Sequence, residues 1–409
     1  MSSAAPTTTF DPFNPDYVRD PYPTLSKMRI ETPVAYAPAV DAYIVCKYVD
    51  VEAILMDAKT YSSARPTFSF APLCAEAIEQ FKNHIGPNVT SFCDPPKHTE
   101  VRRHNMRVMS ARRLNLLEPT IRAKATALIE AFPCNGDVDL VSALAFPLPA
   151  LTVYSLIGLP DSDRDMLKEW ATDRLIMMGG KPSKSEQIKI SQKMADYWRY
   201  IEAFVQRRST NRADDLATDL LECSDSEPNT LSHRDIAAVL YSVSVAGHET
   251  TTNLILNLVR QLMQHRSQWD ALIAEPKLIS GAVEEGLRFD NSGLTAIRKP
   301  TVPVTIRGVQ IPAGATIVCM LAAANRDEER FAQSESFDVT RKDSRFHLGF
   351  GRGIHLCIGN ALARLEVRIV LELLTTRFPR MELTPDQTLT FPANLTFRGP
   401  TSLHVRLNR

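Results

Sequence analysis

The chain of 409 residues has no excess of either charge, because 47 Lys and Arg residues balance 47 Asp and Glu residues. This balance gives no sign of a nucleic acid or an anionic membrane as a partner. The sequence also lacks a run of the ~18 apolar residues that a membrane-spanning helix needs, and its N-terminus resembles no secretory leader. We therefore expect a cytoplasmic, monomeric protein that binds neither nucleic acid nor membrane.

Paired cysteines are missing as well. The cysteines are scattered along the chain, at positions 46, 74, 93, 134, 223, 319 and 357. Without short, repeated spacings they argue against a disulfide framework or a zinc site and fit a reducing compartment. Repeats, low-complexity segments and linkers are also absent. We therefore predict a flexible N-terminal arm over residues 1–20 and a single domain over residues 21–409.

The sequence does contain extensive helical periodicity. Apolar residues recur every three to four positions from about residue 100 to residue 288, and β-prone runs occur near both ends of the chain. Helices and strands do not alternate, so we predict an α+β fold that is mainly α. The pattern predicts helices near residues 114–132, 161–178, 185–208 and 232–265. Strands are expected at residues 34–37, 42–46, 302–306 and 316–320, with strands and turns over residues 389–407.

Cys357 lies in the segment FGRGIHLCIG, residues 350–359, directly before an amphipathic helical pattern that ends ahead of Pro379. Exposed N–H groups at a helix N-terminus stabilise an anionic sulfur by roughly 0.3–1 kcal/mol. Gly353 and Gly359 would allow a positive φ and close approach of a flat ligand. By these features alone the thiolate could be a nucleophile, a redox sensor or a metal ligand, and a buried structural cysteine is the other alternative.

The whole segment resembles the haem-binding loop of the cytochrome P450 family, in which a cysteine thiolate holds the haem iron. Residues 381–387 and 397–400 look like those of haem domains from the bacterial branch that is fused to its own reductase. The resemblance implies a soluble bacterial P450 with a triangular helical body, a small β-rich side and haem b as cofactor. Cys357 would bind the iron. Further contacts to the haem would come from Phe350, Gly351, Gly359 and Ala246.

The longest apolar helical pattern, residues 236–263, is interrupted by the segment AGHETTT at residues 246–252. Glycine costs about 1 kcal/mol relative to alanine in a helix, and three successive β-branched threonines add strain. A kinked core helix whose threonines bond to the preceding turn is one explanation. The segment also resembles the distal helix of the P450 family. That resemblance implies that Glu249 and Thr250 order water and deliver protons during O2 activation, whereas His248 packs away from the haem.

Two further motifs resemble those of the family. Glu285 and Arg288 lie three residues apart on one helical face and resemble the Glu-x-x-Arg brace, with a partner expected in residues 337–341 and a role in haem retention. The haem propionates need cationic or hydrogen-bonding partners. Four side chains in the expected segments are candidates for this role: His98, Arg102, Arg298 and His355.

The family implies a substrate pocket above the haem, lined here by apolar and aromatic side chains that suit a small or medium hydrophobic molecule. Any one of them could equally be plain core. The candidates are Phe68, Phe70, Leu73, Leu175, Met178, Val243, Leu294 and Phe397. Arg65 and Ser69 could in addition anchor a carboxylate.

The resemblance predicts an O2-dependent monooxygenase that catalyses hydroxylation or O-dealkylation, including O-demethylation of an aromatic ether. No cysteine follows Cys357, so an appended iron–sulfur cluster is not expected. Electrons are then expected from a separate ferredoxin or flavodoxin with an NAD(P)H-dependent reductase. An acidic donor could dock on a basic face, although an ordinary solvated face is an equal alternative. The arginines concerned are Arg103, Arg112, Arg113, Arg352 and Arg364.

Two other functions compete with this prediction. A haem-thiolate enzyme could consume peroxide directly, but the Glu249–Thr250 pair argues against it, because an acid and an alcohol are most useful for protonating oxygen derived from O2. A haem-dependent sensor is the other alternative. No DNA-binding helix-turn-helix or basic arm supports it.

Overall fold

The computed structural model describes residues 6–64, 69–86, 89–133 and 135–408, and most of its secondary structure is helical. The α-helices are α1 (Pro15–Arg19), α2 (Tyr22–Glu31), α3 (Tyr48–Met56), α4 (Ala75–His84), α5 (Lys97–Val108), α6 (Ala111–Glu130), α7 (Pro147–Ile157), α8 (Arg164–Gly179), α9 (Lys184–Thr210), α10 (Leu216–Ser226), α11 (His233–Ala246), α12 (Glu249–Gln264), α13 (Arg266–Ala274), α14 (Ile279–Phe289), α15 (Leu321–Ala324) and α16 (Asn360–Arg377). The strands are β1 (Val34–Ala37), β2 (Ala42–Val45), β3 (Tyr61–Ser62), β4 (Gly136–Asp139), β5 (Thr295–Pro300), β6 (Val304–Ile306), β7 (Val309–Ile311), β8 (Ile317–Met320), β9 (Glu382–Leu383) and β10 (His404–Leu407). The predicted excess of helix over strand is confirmed.

The chain divides into two compact units, which are described separately. The helical unit contains residues 64–124 and 146–249, and all of its regular elements within the described ranges are helices. The strand unit combines the residues up to 63 with residues 125–145 and 250–409, and it holds every strand that the structure describes. The prediction of one domain over residues 21–409 stays a prediction.

Helix α9 is the longest element of the helical unit. It begins with a capping box, in which the Ser183 hydroxyl accepts the Glu186 N–H and the Glu186 carboxylate accepts the Ser183 N–H. Helices α4, α8 and α11 pack against it. Helix α11 begins with the same arrangement between Ser232 and Asp235, which confirms the capping pair predicted there.

The main sheet of the strand unit has the order β1-β2-β8-β5-β3. Strands β2 and β8 pair in parallel, and the other neighbours pair antiparallel. All four residues of β8 are buried, as expected for a central strand covered on both faces. Two smaller sheets have the orders β4-β10-β9 and β6-β7. Strands β1, β2, β6 and β8 confirm the predictions, whereas only β10 forms a strand within residues 389–407.

Residues 6–20 of the predicted flexible arm pack against the rest of the strand unit. Phe10 and Tyr17 are buried, and their rings meet edge to face with centroids 5.1 Å apart. The Thr8 N–H donates to the Tyr36 carbonyl at 2.9 Å. Burial of two aromatic side chains thus holds this segment in place. None of the described helices has the length and apolarity needed to span a membrane.

Candidate functional site

Cys357 lies in a tight turn between a short 3₁₀-helix, Gly353–His355, and helix α16. Its N–H donates to the Phe350 carbonyl at 2.9 Å, and its carbonyl accepts a hydrogen bond from the Asn360 side chain at 2.6 Å. The residue precedes the first helical position, Asn360, by three, so the predicted location near a helix N-terminus is confirmed. Its side chain is exposed even though both of its backbone polar groups are bound.

Three other described cysteines have a thiol pKa that burial raises. Burial raises the pKa of the Cys46 and Cys319 thiols to about 12, and that of Cys93 to about 11. These three thiols therefore stay protonated at neutral pH and are poor metal ligands. Cys134 lies outside the described residues.

Two glycines of the cysteine loop have a backbone that favours glycine. Gly351 and Gly353 have φ of 71° and 70°. A β-carbon at Gly353 would also lie 2.4 Å from the Leu55 carbonyl oxygen, which is too close for any side chain. Gly359, which would also allow a positive φ, has a φ of −81° and is the N-cap residue of α16. A β-carbon at Gly359 would lie 4.0 Å from the Cys357 sulfur, which is an ordinary van der Waals contact.

The Cys357 thiol is exposed on a turn of closely packed backbone. The loop fits haem by this criterion, because the iron of haem needs an accessible ligand such as a cysteine thiolate. The Phe350 carbonyl accepts the hydrogen bond from the Cys357 N–H, and Gly351 is the first residue of the loop with a positive φ.

The predicted distal helix, residues 232–265, is two helices in the structure. Helix α11 ends at Ala246, which is exposed, and α12 begins at Glu249. The Gly247 N–H donates to the Val243 carbonyl at 2.9 Å, and a β-carbon at Gly247 would lie 2.8 Å from a methyl group of Val153. The poor helix formers identified in the sequence thus coincide with an interruption, and α7 packs closely against the interruption.

Glu249 accepts a hydrogen bond from the Thr172 hydroxyl of α8 at 2.5 Å. Burial raises the pKa of the Glu249 carboxyl above its usual value, although the Thr172 hydrogen bond and the positive charge of Lys168 act in the opposite direction. A raised pKa keeps more of the carboxyl protonated near neutral pH, as a proton donor requires. Thr250 is half-buried and follows directly in α12. No sequence pattern indicated Thr172, whose hydrogen-bond partner Glu249 is 77 residues away.

His248 is completely buried within the helical unit. Its ring lies 4.8 Å from the Phe146 ring and 6.4 Å from the Tyr154 ring, between centroids. Among the residues that the structure describes, neither ring nitrogen has a hydrogen-bond partner. Burial, and to a smaller extent Lys168, lower the pKa of His248 to about 3. The prediction that His248 packs into the protein is confirmed.

We expect His248 to make the protein sensitive to acid. It is neutral when folded, but after unfolding it gains a proton below its ordinary pKa of 6.5. Because the unfolded state then binds more protons, stability falls between pH 6.5 and 3 by up to about 1.4 kcal/mol per pH unit. Urea unfolding across this range should show a shallower pH dependence for His248→Phe. The same slope in His248→Phe and wild type would contradict the expectation, and exposed His404→Asn serves as the control.

The Glu285–Arg288 pair of α14 is fully buried. Arg288 makes two hydrogen bonds of 2.8 Å to the Glu285 carboxylate, and it donates to the carbonyls of Asn325, Ser334 and Ser336. Glu285 also accepts from the Asp338 N–H at 2.9 Å and from the Arg341 side chain at 3.3 Å. The partner predicted in residues 337–341 is confirmed.

Replacing Arg288 with alanine should lower the free energy of unfolding by about 3–5 kcal/mol, because it leaves the buried Glu285 carboxylate without its main partner. The midpoint and slope of urea unfolding measure this effect. Arg199→Ala is the matched control, since Arg199 pairs with Asp196 at the same spacing on the exposed surface of α9. Such a pair contributes only about 0.2–0.5 kcal/mol. Equal losses in both variants would contradict the expectation.

The four propionate candidates lie in two places. His98 and Arg102 are one turn apart on α5 of the helical unit, where burial, and to a lesser extent Arg102, lower the pKa of His98. Arg298 and His355 belong to the strand unit. Arg298 is buried in β5 and donates to the Ile297 carbonyl at 2.9 Å, and His355 ends the 3₁₀-helix before Cys357.

The substrate-pocket candidates form one group in each unit. In the helical unit the Phe70 N–H donates to the Met178 carbonyl at 3.1 Å, and the group also includes Leu73, Leu175 and Val243. In the strand unit Phe397 forms a bridge with Gly293 beside Leu294, whose N–H donates to the Thr396 carbonyl at 2.7 Å. Phe68 and Arg65 lie outside the described residues. The Ser69 hydroxyl donates to the nearby Ala71 carbonyl.

Four of the five arginines predicted to form a basic face make ion pairs with carboxylates. Arg103, Arg113, Arg352 and Arg364 pair with Glu227, Asp214, Glu52 and Glu284, respectively. Arg112 is exposed. These pairs reduce the positive charge available to attract an acidic donor.

Comparisons with a family model, with known proteins and with solved structures identify relatives of this chain. The family model described as Cytochrome P450 matches residues 181–400. The cytochrome P450 monooxygenase PikC of Streptomyces venezuelae is 35% identical over 402 residues, which cover 96% of this chain and 92% of PikC. The crystal structure of cytochrome P450 CREJ in complex with (4-ethylphenyl) dihydrogen phosphate superimposes with a TM-score of 0.92 at 35% identity, covering 98% of this chain and 99% of CREJ.

A third similar structure concerns the expected likeness to bacterial P450 enzymes that are fused to their own reductase. An intact type IV self-sufficient cytochrome P450 monooxygenase superimposes with a TM-score of 0.92 at 30% identity. The match covers 99% of this chain and 55% of that longer one. These similarities confirm the P450 fold and the predicted haem b cofactor. The chain belongs to the bacterial cytochrome P450 family of haem-thiolate monooxygenases.

Proposed function

We propose that this monooxygenase uses Cys357 as its haem ligand and hydroxylates or O-dealkylates a small aromatic molecule, with electrons from a separate ferredoxin or flavodoxin. The observation that carries the proposal is the exposed Cys357 thiol, on a turn in which both backbone polar groups of the residue are hydrogen-bonded. The predicted cytoplasmic location and monomeric state stay predictions.

The remaining haem contacts follow from the same proposal. His98, Arg102, Arg298 and His355 would hold the propionates through charge and hydrogen bonds. The ring would lie against Phe350, Gly351, Gly359 and Ala246. The buried Glu285–Arg288 pair would retain haem indirectly, by fixing α14 to the segment that leads into the cysteine loop. Bound haem supplies the O2 activation and the oxygen insertion, whereas the protein supplies the ligand, the pocket and the proton path.

Glu249 and Thr250 would form the proton path. Burial raises the pKa of Glu249, which favours its protonated form, and the Thr172 hydroxyl binds one of its oxygens. Thr250, the next residue of α12, would orient the water that carries the proton onward.

The substrate proposal rests on the apolar character of both candidate groups and on the similarity to CREJ, whose structure contains (4-ethylphenyl) dihydrogen phosphate. We infer a single aromatic ring that bears an alkyl or alkoxy group. Oxygen insertion into an alkyl C–H bond gives an alcohol. Insertion at a carbon attached to an ether oxygen gives a hemiacetal, which collapses to an alcohol and an aldehyde.

Reconstituted turnover tests this function. With a ferredoxin, its reductase, NADH and an alkylphenol or aryl methyl ether, we expect product formation and consumption of O2. The substrate screen follows the low-spin to high-spin shift, with terpenes and fatty acids as comparison classes. If peroxide alone supports the same rate as the complete electron-transfer system, and Thr250→Ala changes neither rate nor coupling, the peroxide-driven alternative is correct and the monooxygenase mechanism is wrong.

A further inference from the structure

Glu284 precedes the Glu285 of the buried brace and has a different set of partners. Arg364 of α16 binds both of its carboxylate oxygens, at 2.6 Å from Nε and 3.0 Å from Nη2. The His347 Nε2 lies 3.3 Å from the second oxygen. The Glu284 side chain is 19% exposed, so this ion pair is only partly screened by solvent.

The first connection from Glu284 to the cysteine loop runs through Arg364. Its Nη1 donates to the Asn360 side-chain oxygen at 2.8 Å, and the Asn360 amide nitrogen donates to the Cys357 carbonyl at 2.6 Å. Because Asn360 uses one end of its amide for each neighbour, its orientation is fixed. This connection holds the carbonyl of Cys357.

The second connection runs through His347 and Phe350. The His347 Nδ1 accepts the Gly349 N–H at 3.0 Å, so the neutral ring carries its proton on Nε2 and donates it to Glu284. The Phe350 ring lies 5.7 Å from the His347 ring and 4.7 Å from the Arg364 guanidinium. The Phe350 carbonyl accepts the Cys357 N–H at 2.9 Å. This connection holds the N–H of Cys357.

Burial alone would raise the pKa of Glu284, but the hydrogen bonds from His347 and Arg364 outweigh it and lower that pKa to about 2. Burial lowers the pKa of His347, although Glu284 acts in the opposite direction. Glu284 is therefore a carboxylate that accepts hydrogen bonds at neutral pH, beside a neutral histidine and a positive arginine.

We propose that Glu284 is a positioning residue for the haem ligand, because one carboxylate connects to both backbone groups of Cys357 and so fixes the direction in which the sulfur projects. The inference rests on the proposed function, in which Cys357 binds iron. Groups that orient a metal ligand typically change metal affinity or activity by about 10–100-fold when they are replaced. The buried brace of Glu285 and Arg288 makes separate contacts and would not replace this connection.

The test compares Glu284→Gln with wild type by the carbon monoxide difference spectrum and by the rate of haem transfer to an apomyoglobin acceptor. We expect part of the variant to show the shorter-wavelength Soret band of haem that has lost its thiolate, and haem transfer to be roughly tenfold faster. Asn360→Ala, which removes only the connection to the carbonyl, should show a smaller change in the same direction. Glu335→Gln is the matched control, because Glu335 binds two arginines, Arg29 and Arg326.

A lower unfolding midpoint of Glu284→Gln with a wild-type spectrum and transfer rate would overturn the inference, because Glu284 would then be structural only. Equal spectral changes in Glu335→Gln would overturn it too. If Glu284→Gln fails to fold with haem, Asn360→Ala decides, and wild-type behaviour of that variant counts against the inference. A wild type without the thiolate Soret band would instead refute the proposed function itself.

Discussion

Replacing Cys357 with alanine is expected to abolish the Soret band of the reduced, carbon monoxide-bound protein for which the P450 family is named. The Cys357 thiolate is the proposed ligand of the iron, and a thiolate ligand favours O–O cleavage by donating electron density. Loss of the sulfur should therefore end monooxygenase turnover as well as the spectrum. Difference spectroscopy at equal haem content measures the first effect, and product formation measures the second.

Cys74→Ala is a suitable control for this prediction, because Cys74 is a half-buried cysteine at the start of α4. It should keep the wild-type spectrum. If Cys357→Ala retains the thiolate band, another cysteine binds the iron and the interpretation of the loop is wrong.

The second large effect is expected at Glu249. Glu249→Gln removes the proton but keeps the shape of the side chain, and general acid catalysis typically contributes about 10²–10⁴-fold to a rate. Product formation per NADH should fall by a factor in that range, with O2 consumed in unproductive cycles. Thr251→Val, two residues after Glu249 in α12, is the control for changes in the helix itself. Unchanged coupling in Glu249→Gln would contradict the proposed proton path.

The pH dependence of turnover gives an independent measure of the protonation of the Glu249 carboxyl. Burial raises the pKa of Glu249, so the active, protonated form is lost only as pH rises through that pKa. Thr172→Val removes a hydrogen bond that lowers the pKa, and should therefore move the alkaline limb of the profile to higher pH. A shift to lower pH would show that Thr172 does not stabilise the carboxylate.

The sequence predicted local features best, where the residue types themselves determine a turn, a helix cap or a helix interruption. The cysteine turn before α16, the capping of α11 and the interruption before Glu249 follow from local propensities, and the structure contains all three. The partner of the Glu285–Arg288 pair was also predictable from the resemblance to the family, and it lies within residues 337–341. The threonine-rich segment at residues 246–252 and the glycine-rich segment at residues 350–359 were thus sufficient to predict both parts of the candidate site.

Contacts between distant segments were not predictable. Thr172 meets Glu249 across 77 residues, and Arg364 meets Glu284 across 80 residues. No periodicity or motif in the sequence connects the two residues of either pair, because tertiary packing alone brings them together. Which glycines of the cysteine loop have a positive φ was not predictable for a related reason: any glycine permits a positive φ, but only the surrounding turn determines which glycine adopts it.

The parallel pairing of β2 with β8 has a consequence for synthesis on the ribosome. Tyr43 is opposite Ile317 in this pair, so the main sheet cannot close until most of the chain has been made. Meanwhile β1 and β2 present an unpaired edge, which is a hazard for aggregation. The helical unit, whose last residue is 249, is complete earlier. We therefore expect the strand unit, which contains Cys357, to complete its main sheet only after the helical unit has been made.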